Sequence, residues 1–93
     1  MTTPHISLDL PTPSGEQLKA ARMAAGLSQV EAAQLMGYAL QTGSRGGAQS
    51  RTWQAFESAA GDRAMPGPVF ALFLLLTRQH PSHDLVERMR SPA

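Results

Sequence analysis

The sequence predicts an all-α fold, a compact bundle of four to five helices with a long loop between the second and third. Three observations lead there. Ser28 and Glu31 stand three apart at the start of an apolar-periodic stretch that Gly37 closes, which is how a capped helix is written in sequence. Trp53 and Phe56 lie three apart after Ser50, so they share one face of a helix. Val69 to Leu76 is an unbroken apolar run after Met65-Pro66-Gly67-Pro68 and reads as a helix buried on more than one side.

Residues 1–11 come first. Ile6, Leu8 and Leu10 alternate with His5, Ser7 and Asp9, and two prolines flank them, so the segment reads as an extended arm. The same alternation would suit a short strand pairing with the arm of a second subunit. The first helix starts near Thr12-Pro13-Ser14. Either Thr12 caps it with Pro13 at the first helical position, or Ser14 caps it and Gln17 completes a capping box. It runs to about Ala25, where Gly26 supplies a left-handed stop. The second helix runs from Ser28 to Met36, with Val30, Ala33 and Met36 in helical period and small Ala32 and Ala33 allowing close approach of a neighbour. Residues 38–49 hold three glycines and one charge, Arg45, and read as loop. The third helix is capped by Gln49 or Ser50 and extends to about Ala60, with Gly61 ending it. The fourth runs to Arg78 or Gln79 before His80-Pro81 stops it, and Ser82 to Met89 is long enough for a short tail helix. The domain is therefore residues 12–79, with an arm before it and a tail, 80–93, after it.

Composition narrows the function. Ninety-three residues make one domain with a small core that dimerisation would help. With 42% hydrophobic and 16% charged residues the chain is globular rather than disordered. A net charge of +1 does not by itself argue for a nucleic-acid partner. The absence of cysteine excludes disulfides and thiolate metal sites. Met1 to Pro13 has no basic then apolar pattern of a signal peptide, and the longest apolar run, Val69 to Leu76, is far short of a membrane span. A soluble cytoplasmic protein without membrane contact is the expectation.

Catalytic patterns are absent. His80 and His83 are separated by Pro81-Ser82 and share no regular helix face, His5 stands alone, and the carboxylates are scattered. Gly43 to Gly47 lacks the lysine and preceding strand of a phosphate-binding loop. No enzyme activity, cofactor or metal is expected.

Duplex DNA is the better-grounded partner. The second helix and the third, Arg51 to Glu57 and beyond, read as a helix-turn-helix, which presents its second helix to the major groove. Arg51 can pair with guanine O6 and N7, Gln54 with adenine, and Thr52 and Ala55 can touch a thymine methyl. Gln49 and Ser50 precede them at the helix start. Ser28 and Gln29 stand at the amino end of the second helix, where free backbone N–H groups suit a phosphate. Arg45, alone in its glycine-rich stretch, can reach a phosphate or a minor groove. Trp53, with Phe56 beside it, is read as core.

The segments Arg22-x-x-x-Gly26-Leu27-Ser28-Gln29, Glu31-Ala32-Ala33, Met36-Gly37 and Arg51-Thr52-Trp53-Gln54-Ala55-Phe56-Glu57 resemble the lambda-repressor-like, Xre-type helix-turn-helix regulators. The likeness covers residues 12–79. It implies a compact helical bundle that binds operator DNA as a two-fold dimer, with the third helix as recognition helix and Gln29 at the phosphate-contacting end of the second. Ser50, Arg51, Thr52, Gln54 and Ala55 fall where the family places base and backbone contacts. It also implies that Arg22 pairs with Glu57 and is structural. The sequence departs from the family in the connection, since Gly37 to Glu57 spans 20 positions and is longer than the family usually shows.

The expected function is a sequence-specific repressor of plasmid, phage or bacterial type that occupies operator DNA as a homodimer. Phe70, Phe73 and Leu74 are the expected dimer contacts, because the fourth helix is more apolar than one small core needs. The alternative is a protein-binding module such as an antitoxin or an adaptor, with the fourth helix meeting another protein.

Overall fold

A computed structural model of the protein describes residues 9–88. Four helices form: α1 (Gly15–Ala24), α2 (Gln29–Leu35), α3 (Arg51–Glu57) and α4 (Gly67–Leu76), with strands β1 (Gln41–Thr42) and β2 (Ala48–Gln49) between α2 and α3. The fold is thus not all-α. The stretch expected as loop pairs into an antiparallel hairpin, Gln41 opposite Gln49 and Thr42 opposite Ala48. Strands of two residues carry no readable alternation, and this hairpin is specified by its turn. The Gly43 N–H donates to Gly47 O and the Gly46 N–H to Gly43 O at 2.9 Å, with Gly46 at φ 86°. That is a three-residue turn closed by a left-handed glycine, a conformation that a side chain would disfavour.

Helix starts follow local chemistry. Ser14 and Gln17 form a reciprocal capping box on α1, Ser28 and Glu31 another on α2, and the Ser50 hydroxyl accepts the Trp53 N–H at the start of α3. Three helix ends share one geometry. The N–H two residues past the cap bonds back five residues in the pairs Leu27 to Arg22, Tyr38 to Ala33 and Gln79 to Leu74. Gly26 and Gly37 take the left-handed position in the first two, and Arg78, at φ 60°, takes it in the third.

Two helix boundaries and the tail differ from the sequence reading. α3 stops at Glu57 rather than near Ala60, because Ser58 is extended and starts a turn to Gly61. α4 stops at Leu76, where Thr77 caps the helix and Arg78 takes a left-handed conformation. No helix forms over 82–88, and Met89 lies outside the described residues, as do residues 1–8 of the arm.

The core joins Leu18 and Ala21 of α1, Ala32 and Ala33 of α2, Trp53 and Phe56 of α3, Met65, and Phe73 of α4. Trp53 is its centre: its ring packs 5.5 Å from that of Phe73 and 6.3 Å from those of Phe56 and Tyr38. Tilted and edge-on aromatic pairs of this kind add to area burial. Tyr38 and Leu40, just before the hairpin, pack against the core and anchor its base. The start of α1 meets the end of α3 so closely that a Cβ on Gly15 would lie 2.8 Å from Glu57 O. The Gln79 amide donates to Ala21 O at 2.9 Å and ties the end of α4 to α1.

Candidate functional site

Glu57 is the junction on which the α2–α3 arrangement rests. Its carboxylate accepts from Arg22 Nε at 2.7 Å and Nη2 at 3.1 Å, from Gln29 Nε2 at 3.2 Å, and from the Trp53 indole one turn earlier. Arg22 also donates to Leu27 O at 2.9 Å. The two side chains are 13% and 5% exposed. Burial opposes ionisation of Glu57. The hydrogen bonds from Arg22, Trp53 and Gln29, with the charge of Arg22, outweigh it and hold the carboxyl below its ordinary value of 4.5. One residue each from α1 and the first position of α2, and two from α3, are thereby locked together. Arg22 is committed to this junction and is not a free reader of bases.

The start of α2 is less open than its sequence suggests. The Ser28 hydroxyl accepts the Glu31 N–H, and the Glu31 carboxylate accepts the Ser28 N–H at 2.9 Å. The bond to the Ser28 backbone, then that to its hydroxyl, keep Glu31 below its ordinary carboxyl value, so an anion already sits there. The Gln29 amide nitrogen is turned to Glu57. Ser28 and Gln29 therefore serve the helix start and the junction.

α3 and the hairpin present a different surface. Arg51 and Gln54 are exposed on α3, Thr52 and Ala55 are half-buried, and Arg45 is exposed at the hairpin tip. Ser50 is fully buried by its capping role. Two contacts join hairpin to helix: Gln41 Oε1 accepts the Arg51 N–H at 3.0 Å, and Gln49 Oε1 lies 3.5 Å from the Gln54 amide nitrogen. Nothing in the sequence marks Gln41 for this role. It acts across ten residues, and the only signal was general: the first N–H groups of a helix need acceptors. From Ala32 to Phe56 there is no Asp or Glu, and the charges are Arg45 and Arg51. The nearest acids at either end, Glu31 and Glu57, are engaged in the cap and in the ion pair.

The three α4 positions separate. Phe73 is 0% exposed and belongs to its own core, so it offers no surface to a second chain. Phe70 and Leu74 are half-buried, and the exposed apolar residues of the helix are Leu72 (45%) and Leu76 (38%). Beside α4, a pocket of about 220 Å³ is lined by Pro11, Phe70, Leu74, His80 and Pro81, among others. His80 Nδ1 faces the backbone N–H groups of Ser82 and His83, both at 3.2 Å. Among the described residues no three metal-binding side chains gather, and no helix is long and apolar enough to cross a membrane.

The chain matches no protein-family model, no curated protein and no solved structure.

Proposed function

We propose that the chain is a sequence-specific DNA-binding repressor of the Xre type that occupies operator DNA as a dimer, with α3 in the major groove. The observation that carries this reading is that the hairpin and α3 up to Phe56 hold no carboxylate, while Glu57 at the end of α3 is turned to Arg22. Arg51 and Gln54 are the exposed long side chains on the helix, and Arg45 extends this surface at the tip. A guanidinium and an amide on one helix suit guanine and adenine edges, and a stretch with arginines and no acids suits phosphate. The Glu57 junction supports the same reading, because base readout needs a helix held in one orientation. Arg51, Thr52, Gln54 and Ala55 are the proposed readers, while Ser28, Gln29, Gln49 and Ser50 set the geometry.

The test is selection from a random duplex library at near-physiological salt, with Arg51→Ala as control. The expected result is an enriched palindrome with half-sites about one helical turn apart, weakened or lost in the variant. Affinity should fall linearly with salt on logarithmic axes. Leu72 and Leu76, exposed side by side on α4, favour a second reading, a protein-binding module such as an antitoxin or an adaptor. Failure to enrich any duplex, with salt-insensitive capture of a protein, would establish that one.

A further inference from the structure

We infer that the β1–β2 hairpin is a second DNA-reading element that places Arg45 in the minor groove beside the major-groove site of α3. This rests on the DNA-binding reading above and adds to it a readout of groove width in the flanking sequence.

Four observations support it. First, the tip is ordered by its own backbone bonds, Gly43 to Gly47 and Gly46 to Gly43, with Arg45 within the turn. Second, the tip is narrow. Gly43, Ser44, Gly46 and Gly47 surround Arg45, and a Cβ on Gly46 or Gly47 would meet nothing within 4 Å. Little but backbone accompanies the guanidinium, which suits a groove roughly 6 Å wide. Third, Arg45 has no hydrogen-bond or ion-pair partner among the described residues, and no other charged residue lies between Glu31 and Arg51. Fourth, the hairpin is fastened to the reading helix. Gln41 and Gln49 are cross-strand partners, and they contact the Arg51 N–H and the Gln54 amide.

Reach is sufficient. The tip stands about three residues beyond the Gln41–Gln49 pair, or roughly 10 Å at strand rise. The arginine side chain extends it further. A major groove is about 12 Å wide, so in the proposed docking a hairpin leaving the start of α3 is long enough to pass the bounding phosphates to the adjacent minor groove. An arginine there is favoured by the narrow, strongly negative groove of A·T-rich sequence. Gln41 is then a positioning residue: it sets where the tip lies without touching DNA.

The experiment uses the full chain and the duplex it selects from the random library. The base pairs flanking each half-site are replaced by A·T, G·C or inosine·cytosine. Inosine·cytosine keeps a minor-groove face like that of A·T and a major-groove face like that of G·C. The inference expects A·T and inosine·cytosine flanks to bind alike and G·C flanks about tenfold more weakly, the scale of one disfavoured pair. Arg45→Ala should bind all three alike. Arg45→Lys should keep salt-dependent affinity but lose most of the discrimination. Gln41→Ala, with helicity checked by circular dichroism, should reduce discrimination while retaining the half-site sequence. Flank-independent binding by the unaltered chain, or full discrimination by Arg45→Ala, overturns the inference and leaves the α3 reading intact. Failure to select any duplex overturns both.

Discussion

Glu57 gathers three donor residues into a site that is 5% exposed on its own side chain, and the consequences can be measured residue by residue. Glu57→Gln leaves Arg22 without its counter-charge and should cost about 3 kcal/mol of stability, read from denaturant midpoints. Its sign with pH follows from the depressed carboxyl value. The contribution is fully present above the ordinary value of 4.5 and is lost as pH falls below it, through the lower folded-state value. Unfolding midpoints of the unaltered chain should therefore drop in that acid range more steeply than those of Glu57→Gln. Arg78 gives the opposite kind of case. It stands at φ 60° in a helix stop that holds glycine in α1 and α2, so Arg78→Gly should stabilise by about 1 kcal/mol. A lower melting temperature for Arg78→Gly would refute this. Legibility at this scale tracks sequence separation. The Ser28–Glu31 box is spelled three residues apart and can be read directly. Trp53 and Glu57 are one turn apart, yet the sequence marks Trp53 only as a packing residue and gives no sign of its indole bond. Gln29 meeting Glu57, 28 positions away, has no local signature.

At the scale of elements, helix existence was written in the caps and stops, while the connection between α2 and α3 was not. Three glycines in residues 38–49 read as absence of structure, yet one of them supplies the left-handed residue that closes the hairpin turn. A two-residue strand exposes no buried face whose alternation could betray it. The sequence places the end of α3 too late for a related reason. Gly61 is a turn glycine lying beyond an extended Ser58, not the stop of the helix itself. Docking between elements is equally unreadable from one stretch alone. Gly15 opens α1, but its reason is on α3, where a Cβ would lie 2.8 Å from Glu57 O. Gly15→Ala should push α1 from the end of α3 and destabilise the domain by about 1–3 kcal/mol, despite the better helix propensity of alanine. A rise in thermal midpoint would show that the contact relaxes freely.

For the whole molecule, one small core built around Trp53 leaves part of an apolar helix on the surface. Leu72 and Leu76 are exposed there, and under the proposed dimeric reading they are the residues through which a two-fold partner joins. Leu72→Asp should lower the sedimenting mass to that of one chain and weaken palindrome binding more than tenfold, while leaving the helical signal unchanged. An unaltered mass would remove α4 from the interface. Phe73 illustrates why the choice of positions was hard to read. An apolar run shows that a helix has more greasy faces than solvent tolerates, but not which face its own core takes. The hairpin has a different consequence for the molecule. Its ends, Gln41 and Gln49, face each other across one ladder pair, about 5 Å apart whatever the length beyond them. To the bundle, the excursion between them is a detour of almost no span. Adding one residue to each strand would carry the tip outward by about 3.4 Å and exchange its two faces. Adding two would restore the facing and carry it about 7 Å. The connection is an arm whose reach can be reset by small insertions in matched steps, leaving helices and core where they stand.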